Sequence, residues 1–292
     1  MFKRLPLLCA ALLALAACSH DNSDSGNAAP PVAPTTSTSA TPAASSSAAV
    51  APAASTTAPA ASGTTAAAAT PSASTAAPAA PAPPFVDTGK WVAGKNYFLI
   101  DPPQPTSHPG KIEVTEVFSY GCPACNAFHT TADQIAKSLP ADAVMNYLPA
   151  AFRPDENWPM YQRAFYTAQA LGLVDKTQDA VFDATWKTGE LATYNLKGNG
   201  LKPKEAWPTI EDAAKFYAKY GADPKEFVGI ANSFTVNTKM KQADDLVKAY
   251  GVSGTPTIVV NGKYRLDTTS AGGYAQTVEL TQWLVAKEAA GK

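Results

Sequence analysis

The sequence is poor in cysteine and histidine and has no concentration of charge. Its 292 residues include four Cys and three His, and the formal net charge is −1. Because Lys and Arg form no cluster, nothing indicates binding to nucleic acid, whose phosphates attract concentrated positive charge. Neither a Gly-rich phosphate loop nor a Ser/His/Asp spacing stands out. These absences direct attention to the few cysteines.

The first 17 residues have the features of an export signal peptide. Two basic residues precede an almost wholly apolar run from Leu5 to Ala17. The run is too short for a permanent membrane-spanning helix, and its small-residue end fits cleavage. It ends in Leu-Ala-Ala-Cys18, which resembles the lipobox of bacterial lipoproteins and implies that Cys18 becomes a lipidated N-terminus. Ordinary cleavage, which would leave Cys18 as a free thiol, is the alternative.

Residues 18–84 are predicted to form a disordered tether. Apart from Val32, Val50 and Gly63, every residue from Ala28 to Pro84 is Ala, Pro, Ser or Thr. Such a stretch cannot bury enough apolar surface to offset the entropy of ordering, and its scattered prolines interrupt any helix.

Two thiols remain in the mature protein on this interpretation, because Cys9 leaves with the signal peptide and Cys18 is acylated. They are Cys122 and Cys125, in the stretch F-S-Y-G-C-P-A-C. One closely spaced pair is not a disulfide framework, and the short loop that it would close stabilises a fold little. The pair therefore needs a chemical explanation.

Order is predicted from about Phe85 to the C-terminus. Runs of β-branched and apolar residues predict strands at 96–100, 111–119, 143–148, 257–260 and 263–266. Asn-Gly between the last two runs is a strong hairpin signal. The predicted helices run from Pro123 to just before Pro140, throughout 156 to about 250, and over about 273–289.

These elements predict an α/β fold. Strands before and after the helical block must share one mixed sheet, so the block is an insertion. We therefore expect a sheet domain formed by residues 85–155 and 250–292, with a helical insertion at 156–249.

Three kinds of chemistry are compatible with a Cys-x-x-Cys pair. Covalent haem attachment requires His directly after the second cysteine, and position 126 is Asn. A zinc site could recruit Cys122, Cys125, His129 and His108, but the second Cys or His pair that is typical of structural zinc is missing. Dithiol–disulfide exchange, which needs no metal and no other cofactor, is the interpretation that we favour.

The local sequence supports exchange on physical grounds. Cys122 is expected at the N-cap of the helix that begins with Pro123, where free N–H groups and the helix dipole favour an anion. The pKa of the Cys122 thiol should therefore lie below the free value of ~8.5. Cys125, one turn into the helix, should be more buried and the poorer nucleophile.

The segment E-V-F-S-Y-G-C-P-A-C, from Glu116 to Cys125, resembles the active-site segment of the DsbA family of periplasmic thiol:disulfide oxidoreductases. Further matches are Gly94–Tyr97, Gly254–Pro256 and Val260–Tyr264. The resemblance spans roughly residues 90–290. It implies a thioredoxin-like mixed sheet with an inserted helical domain, and a redox-active Cys122–Cys125 disulfide that is passed to exported proteins.

The resemblance also implies roles for residues around the pair. It implies that Pro256 is cis and packs across from the disulfide, with the Thr255 backbone presenting an edge to substrate peptides. It further implies that Glu116 is a partly buried acid that relays the proton of Cys125. A solvent-facing carboxylate on an edge strand is the alternative for Glu116. Glu113 and Glu116 point to opposite faces, so a central strand would direct at least one toward a helix-covered face.

One position departs from the family pattern. Well-known DsbA proteins have His between Pro123 and the second cysteine, and this chain has Ala124. Loss of a donor or cationic side chain there should weaken stabilisation of the thiolate, which predicts a more moderate oxidant. Beside the pair, Phe118 and Tyr120 are expected to form an apolar lip for unfolded clients.

The expected partners follow from this interpretation. They are reduced exported proteins, a DsbB-like membrane re-oxidant, and a membrane reached through the lipid on Cys18. Ser19, rather than Asp, after the lipobox cysteine favours the outer membrane as the site of this periplasmic anchor. No dimerisation module precedes the redox domain, so a monomer is expected. A reductase or isomerase on the same fold and a zinc-stabilised binding module remain the alternatives.

Overall fold

The computed structural model describes residues 85–198 and 200–292. The predicted signal peptide, the lipobox cysteine Cys18 and the tether lie outside the described residues. Within the described part, every helix is too short or too polar to cross a bilayer.

The described residues contain one five-stranded mixed sheet with the order β1-β5-β4-β2-β3. The strands are β1 Phe98–Leu99, β2 Ile112–Phe118, β3 Ala143–Pro149, β4 Thr257–Val260 and β5 Tyr264–Leu266. β2 and β3 are parallel, and every other neighbouring pair is antiparallel. The predicted mixed sheet is confirmed, and all five predicted strands are present, although β1 is limited to two residues.

β2 lies inside the sheet, between β3 and β4. Its sequence, I-E-V-T-E-V-F, is rich in β-branched residues, and every residue after the first is buried. Glu116 pairs with Tyr147 on one side and with Ile258 on the other. The strand ends four residues before Cys122, so the sheet fixes the position of the redox segment.

Eight helices occur in the described part of the chain. They are α1 Pro123–Ser138, α2 Trp158–Ala170, α3 Val174–Trp186, α4 Ile210–Ala218, α5 Pro224–Ala231, α6 Phe234–Ala249, α7 Thr268–Ala271 and α8 Tyr274–Ala289. α1 and α8 agree closely with the predicted helices. The short α7 was not predicted; it begins where Asp267 accepts hydrogen bonds from two backbone N–H groups.

The prediction of helix throughout 156 to about 250 is wrong for the stretch between α3 and α4. The described residues here, 187–198 and 200–209, contain only a single 3₁₀ turn, Lys204–Ala206, and an isolated bridge between Tyr194 and Leu201. Three glycines and two prolines fall in this stretch, and both residue types disfavour helix.

The two faces of the sheet are covered by different layers. On one face Val114 packs with Phe128 of α1 and Leu284 of α8. On the other face Val117 belongs to a cluster with Phe165 of α2 and Val247 of α6. Helices α2 and α6 therefore cover the face opposite α1 and α8, and α3, α4 and α5 pack against α2.

Candidate redox site

Cys122 is the N-cap of α1. Its backbone is extended (φ −90°, ψ 119°), and Pro123 occupies the first helical turn. The Cys125 N–H donates to Cys122 Sγ over 3.3 Å. Proline suits this position because its missing N–H would have no partner in the helix. The sequence therefore folds locally so that free helical N–H groups face the Cys122 sulfur.

A second chain segment reaches the same sulfur. The carbonyl oxygen of Thr255 lies 3.5 Å from Cys122 Sγ. The Thr255–Pro256 peptide bond is cis, as the resemblance implied. The structure thus brings Thr255 and Pro256 to the redox pair from a segment more than 130 residues further along the chain.

The two cysteines differ in environment and in acidity. Both are free thiols; Cys122 is 5% exposed and Cys125 is fully buried. The hydrogen bond from the Cys125 thiol lowers the pKa of Cys122 to about 6, assisted by Thr255 and by N–H groups of α1 and opposed by burial. Burial raises the pKa of Cys125 well above its ordinary value, and the neighbouring Cys122 adds to the effect. At neutral pH Cys122 is therefore a thiolate, and Cys125 is a protonated thiol.

Glu116 lies on the same face of β2 as Val114, the face covered by α1. It is 2% exposed, and its Oε1 has no hydrogen-bond partner among the described residues. Burial raises the pKa of this carboxyl to about 8, and the charges of Cys122 and Asp133 contribute. The alternative of a solvent-facing carboxylate on an edge strand is wrong, because β3 and β4 flank β2 on both sides.

The expected apolar lip of Phe118 and Tyr120 is also wrong. Their exposed fractions are 0% and 1%, so neither ring is available to a client. The two rings pack edge to face with centroids 5.1 Å apart, and Tyr120 donates its hydroxyl to Gln178 of α3. They form the core between the end of β2 and the helical insertion.

The residue directly before Cys122 was not predicted to matter. A Cβ atom on Gly121 would lie 2.9 Å from Tyr161 Cε2 and 3.0 Å from Trp158 Cδ1. Two aromatic side chains of α2 therefore pack directly on the backbone that presents Cys122. Gly121 in the Y-G-C sequence was the available signal. The nearer of the two aromatic residues that pack on it, Trp158, lies 37 residues further along the chain, so the contact could not be seen locally.

The residues considered for a zinc site do not come together. Among the described residues, one group of three potential ligands lies within 4.8 Å: His129, Asp133 and Asp179, without either cysteine. His129 stacks on Phe182 with ring centroids 5.1 Å apart. His108 instead pairs with Glu113, at 2.6 Å between Nδ1 and Oε2.

A groove of about 300 Å³ adjoins the redox pair, and we call it the cis-proline groove. Its lining residues come from α1, from the segment before β4 and the start of β4, from β1 and β5, and from the start of α7; they include Phe98, Ala124, Ser253, Pro256, Arg265 and Asp267. Ala124 belongs to the C-P-A-C segment itself. The groove is therefore open to a chain that approaches Cys122.

Comparison with known proteins agrees with this site. The family described as DSBA-like thioredoxin domain matches residues 201–278. The thiol:disulfide interchange protein DsbA of Pseudomonas aeruginosa is 40% identical over 200 residues, which cover 68% of this chain and 87% of that protein. The DsbA of Azotobacter vinelandii is 37% identical over 67% of this chain and 83% of that protein.

Solved structures show the same relationship. The crystal structure of Pseudomonas aeruginosa DsbA superposes with a TM-score of 0.60 at 39% identity, covering 70% of this chain and 97% of that one. The oxidoreductase DsbA from Xylella fastidiosa also gives 0.60, at 30% identity, covering 68% and 98%. The chain thus shares its sequence and fold with these DsbA proteins, and it has a Cys-x-x-Cys pair at the N-terminus of a helix. It therefore belongs to the DsbA family and is a thiol:disulfide oxidoreductase.

Proposed function

We propose that the chain introduces disulfides into exported proteins by exchange through the Cys122–Cys125 pair. The observation that carries this proposal is the contrast between the two sulfurs, one with a pKa of about 6 at a helix N-terminus and one fully buried. A sulfur of low pKa is a good leaving group, so a mixed disulfide at Cys122 breaks readily. Stabilisation of its thiolate favours the reduced enzyme, which makes the disulfide oxidising.

In the first step a client thiolate attacks Cys122 Sγ of the oxidised enzyme. A bond forms between the client sulfur and Cys122, the Cys122–Cys125 bond breaks, and its electron pair goes to Cys125. The buried Cys125 thiolate needs a proton at once. Glu116, whose burial favours the protonated carboxyl, supplies it.

In the second step another client thiolate attacks the client sulfur of the mixed disulfide. Cys122 leaves as a thiolate, the client has lost two electrons, and the enzyme is reduced. During re-oxidation by a DsbB-like partner, Cys125 returns its proton to the Glu116 carboxylate. The Thr255 backbone and Pro256, beside Cys122 Sγ, hold the client segment during both steps.

Ala124 tunes the strength of the enzyme. In place of a donor or cationic side chain it offers only a methyl group, so fewer interactions stabilise the thiolate. Since about 1.4 kcal/mol corresponds to about 30 mV for a two-electron couple, this change moves the enzyme toward a moderate oxidant. The equilibrium constant with glutathione measures the potential and separates an oxidase from a reductase.

The proposal also includes the location of the enzyme. The sequence supports a signal peptide at 1–17, a lipid on Cys18 that anchors the protein in the periplasm at the outer membrane, and a tether at 18–84. Residues 85–155 and 250–292 then form the monomeric thioredoxin-like domain, and 156–249 form its helical insertion.

The test uses two variants and a reduced, unfolded client protein. Cys122→Ala should lose all client oxidation, because no disulfide can form. Cys125→Ser also loses turnover, but its hydroxyl can still donate a hydrogen bond to Cys122 Sγ, so it should react rapidly at pH 7 with an aromatic disulfide such as DTNB and stay in the mixed disulfide. Client oxidation by folded Cys122→Ala, or slow labelling of Cys125→Ser, would contradict the mechanism.

A further inference from the structure

The cis-proline groove contains a positive charge without an ionic partner among the described residues. Arg265, the middle residue of β5, lines the groove together with Ala124 and Pro256. None of the ion pairs in the described part of the chain includes Arg265. A guanidinium in such a position is free to bind a carboxylate that enters the groove.

The acid that lines the groove is already engaged. Asp267 Oδ1 accepts the backbone N–H groups of Thr269, at 2.9 Å, and of Ser270, at 2.8 Å. These bonds cap α7, so the carboxylate is directed at that helix. Its negative charge is therefore stabilised at the end of the groove and does not pair with Arg265.

Arg265 is also held in position. Its guanidinium carbon lies 5.2 Å from the centre of the Phe98 ring, within the range of a cation–π contact. Its Nε lies 3.6 Å from the point that a Cβ atom on Gly251 would occupy. A side chain that is already confined loses little conformational freedom on binding.

We propose that Arg265 makes the enzyme prefer clients that carry an acidic residue close to the reacting cysteine. This selectivity rests on the proposed function, since a client sulfur bonded to Cys122 Sγ lies beside Thr255, which lines the same groove as Arg265. An extended chain advances ~3.3 Å per residue, so side chains within about three residues of the cysteine reach the groove. Arg265 is thus a specificity-determining residue outside the exchange chemistry.

The test measures rate constants for reduction of the oxidised enzyme by dithiol peptides. The peptides are identical except for Glu, Gln or Lys at the positions within three residues of the attacking cysteine. We expect the Glu peptide to react about threefold faster than the Gln peptide at low salt, and the Lys peptide to react more slowly, because a partly exposed ion pair contributes modestly. Raising the NaCl concentration to 0.5 M should shrink the difference.

Substitutions at Arg265 separate charge from other effects. Arg265→Gln should abolish the preference, and Arg265→Glu should reverse it in favour of the Lys peptide. Lys225→Gln, an exposed position at the start of α5, makes the same change in net charge and should leave the preference intact.

The outcomes distinguish this selectivity from the proposed function. Equal rates for the Glu and Lys peptides with the wild-type enzyme would overturn the role of Arg265 while leaving disulfide exchange intact. A preference for Glu that persists in Arg265→Glu would overturn it as well. No reaction with any peptide would instead contradict the proposed function. If a variant fails to fold, the salt dependence of the wild-type preference tests the selectivity instead. A preference for the Glu peptide that does not shrink in 0.5 M NaCl would overturn it.

Discussion

β2 contains two glutamates that are equally buried but differ in their hydrogen-bond partners and in the helices that cover them. Glu113 and Glu116 are both 2% exposed, and they lie three residues apart on opposite faces of the strand. One face is covered by the helical insertion and the other by α1 and α8. The comparison shows how the surroundings of a buried acid decide whether it accepts a full set of hydrogen bonds or has a raised pKa.

Glu113 is fully satisfied by hydrogen bonds. Its donors are Ser107 N at 2.9 Å, His108 Nδ1 at 2.6 Å, Thr115 Oγ1 at 3.0 Å and Asn146 Nδ2 at 3.3 Å. They connect the loop before β2 with β2 and β3. This carboxylate therefore holds structural elements together.

Glu116 has no such set of donors. Its Oε1 is buried without a partner among the described residues, and the pKa of the carboxyl is about 8. A buried acid without donors retains its proton at neutral pH and can exchange it with a neighbour. The charge of Cys122 contributes to the raised pKa, which supports the proposed proton relay to the redox pair.

The largest effect is expected from Glu116→Gln. Between pH 4.5 and pH 8 the folded protein holds a proton that the unfolded chain has released, so wild-type stability falls as pH rises through this window. The side chain of Gln is neutral throughout this pH range, so the variant does not lose stability in this way. The variant should therefore be more stable than reduced wild type by roughly 2–4 kcal/mol at pH 8 and nearly equal at pH 4. Urea unfolding of the reduced proteins at both pH values measures the difference, and a less stable variant at pH 8 would break the comparison.

The same substitution at the other site should have the opposite sign. Glu113→Gln replaces one acceptor oxygen by an NH₂ group, which leaves buried donors unsatisfied. We expect a loss of about 1–3 kcal/mol in the free energy of unfolding at pH 7. The pKa of Cys122, followed by thiolate absorbance, should stay near 6, because Glu113 lies on the face away from α1. Increased stability in this variant would remove the distinction between the two acids.

The smallest effect concerns the oxidation state. A disulfide carries no charge at Cys122, so oxidation should lower the pKa of Glu116 from about 8, while burial keeps it above 4.5. Side-chain carboxyl ¹³C shifts, recorded against pH for both redox states, report this change. The signal of Glu113 should not respond to oxidation. A Glu116 titration that is identical in both states would show that the carboxyl is not coupled to the pair.

Much of this arrangement could be predicted from local patterns. The alternation along β2 placed Glu113 and Glu116 on opposite faces, and Pro123 after Cys122 marked the start of α1. Both signals act within a few residues, where strand geometry and helix capping are strong. The strands before and after the helical insertion must both be buried, and this requirement predicted that they share one sheet.

Two outcomes at the site depend on contacts between distant segments. Phe118 and Tyr120 are next to the redox pair in sequence, but they pack against Phe165 of α2 and Phe182 of α3. The alternative that placed Glu116 on an edge strand is excluded by β4, which flanks β2. No local pattern contains these contacts. The error in the helical block is of another kind, because the glycines and prolines between α3 and α4 are a local signal against helix.

The packing of Trp158 and Tyr161 on Gly121 restricts how this architecture can be modified. A chimera that replaces the helical insertion with that of another protein must offer flat aromatic surfaces at the same height above the backbone. Smaller side chains in place of Trp158 and Tyr161 would leave a gap above Gly121, and larger ones would clash with its backbone. The two parts of the molecule are therefore not freely interchangeable, and one of the contacts that decides their fit lies at the backbone directly beside the reactive sulfur.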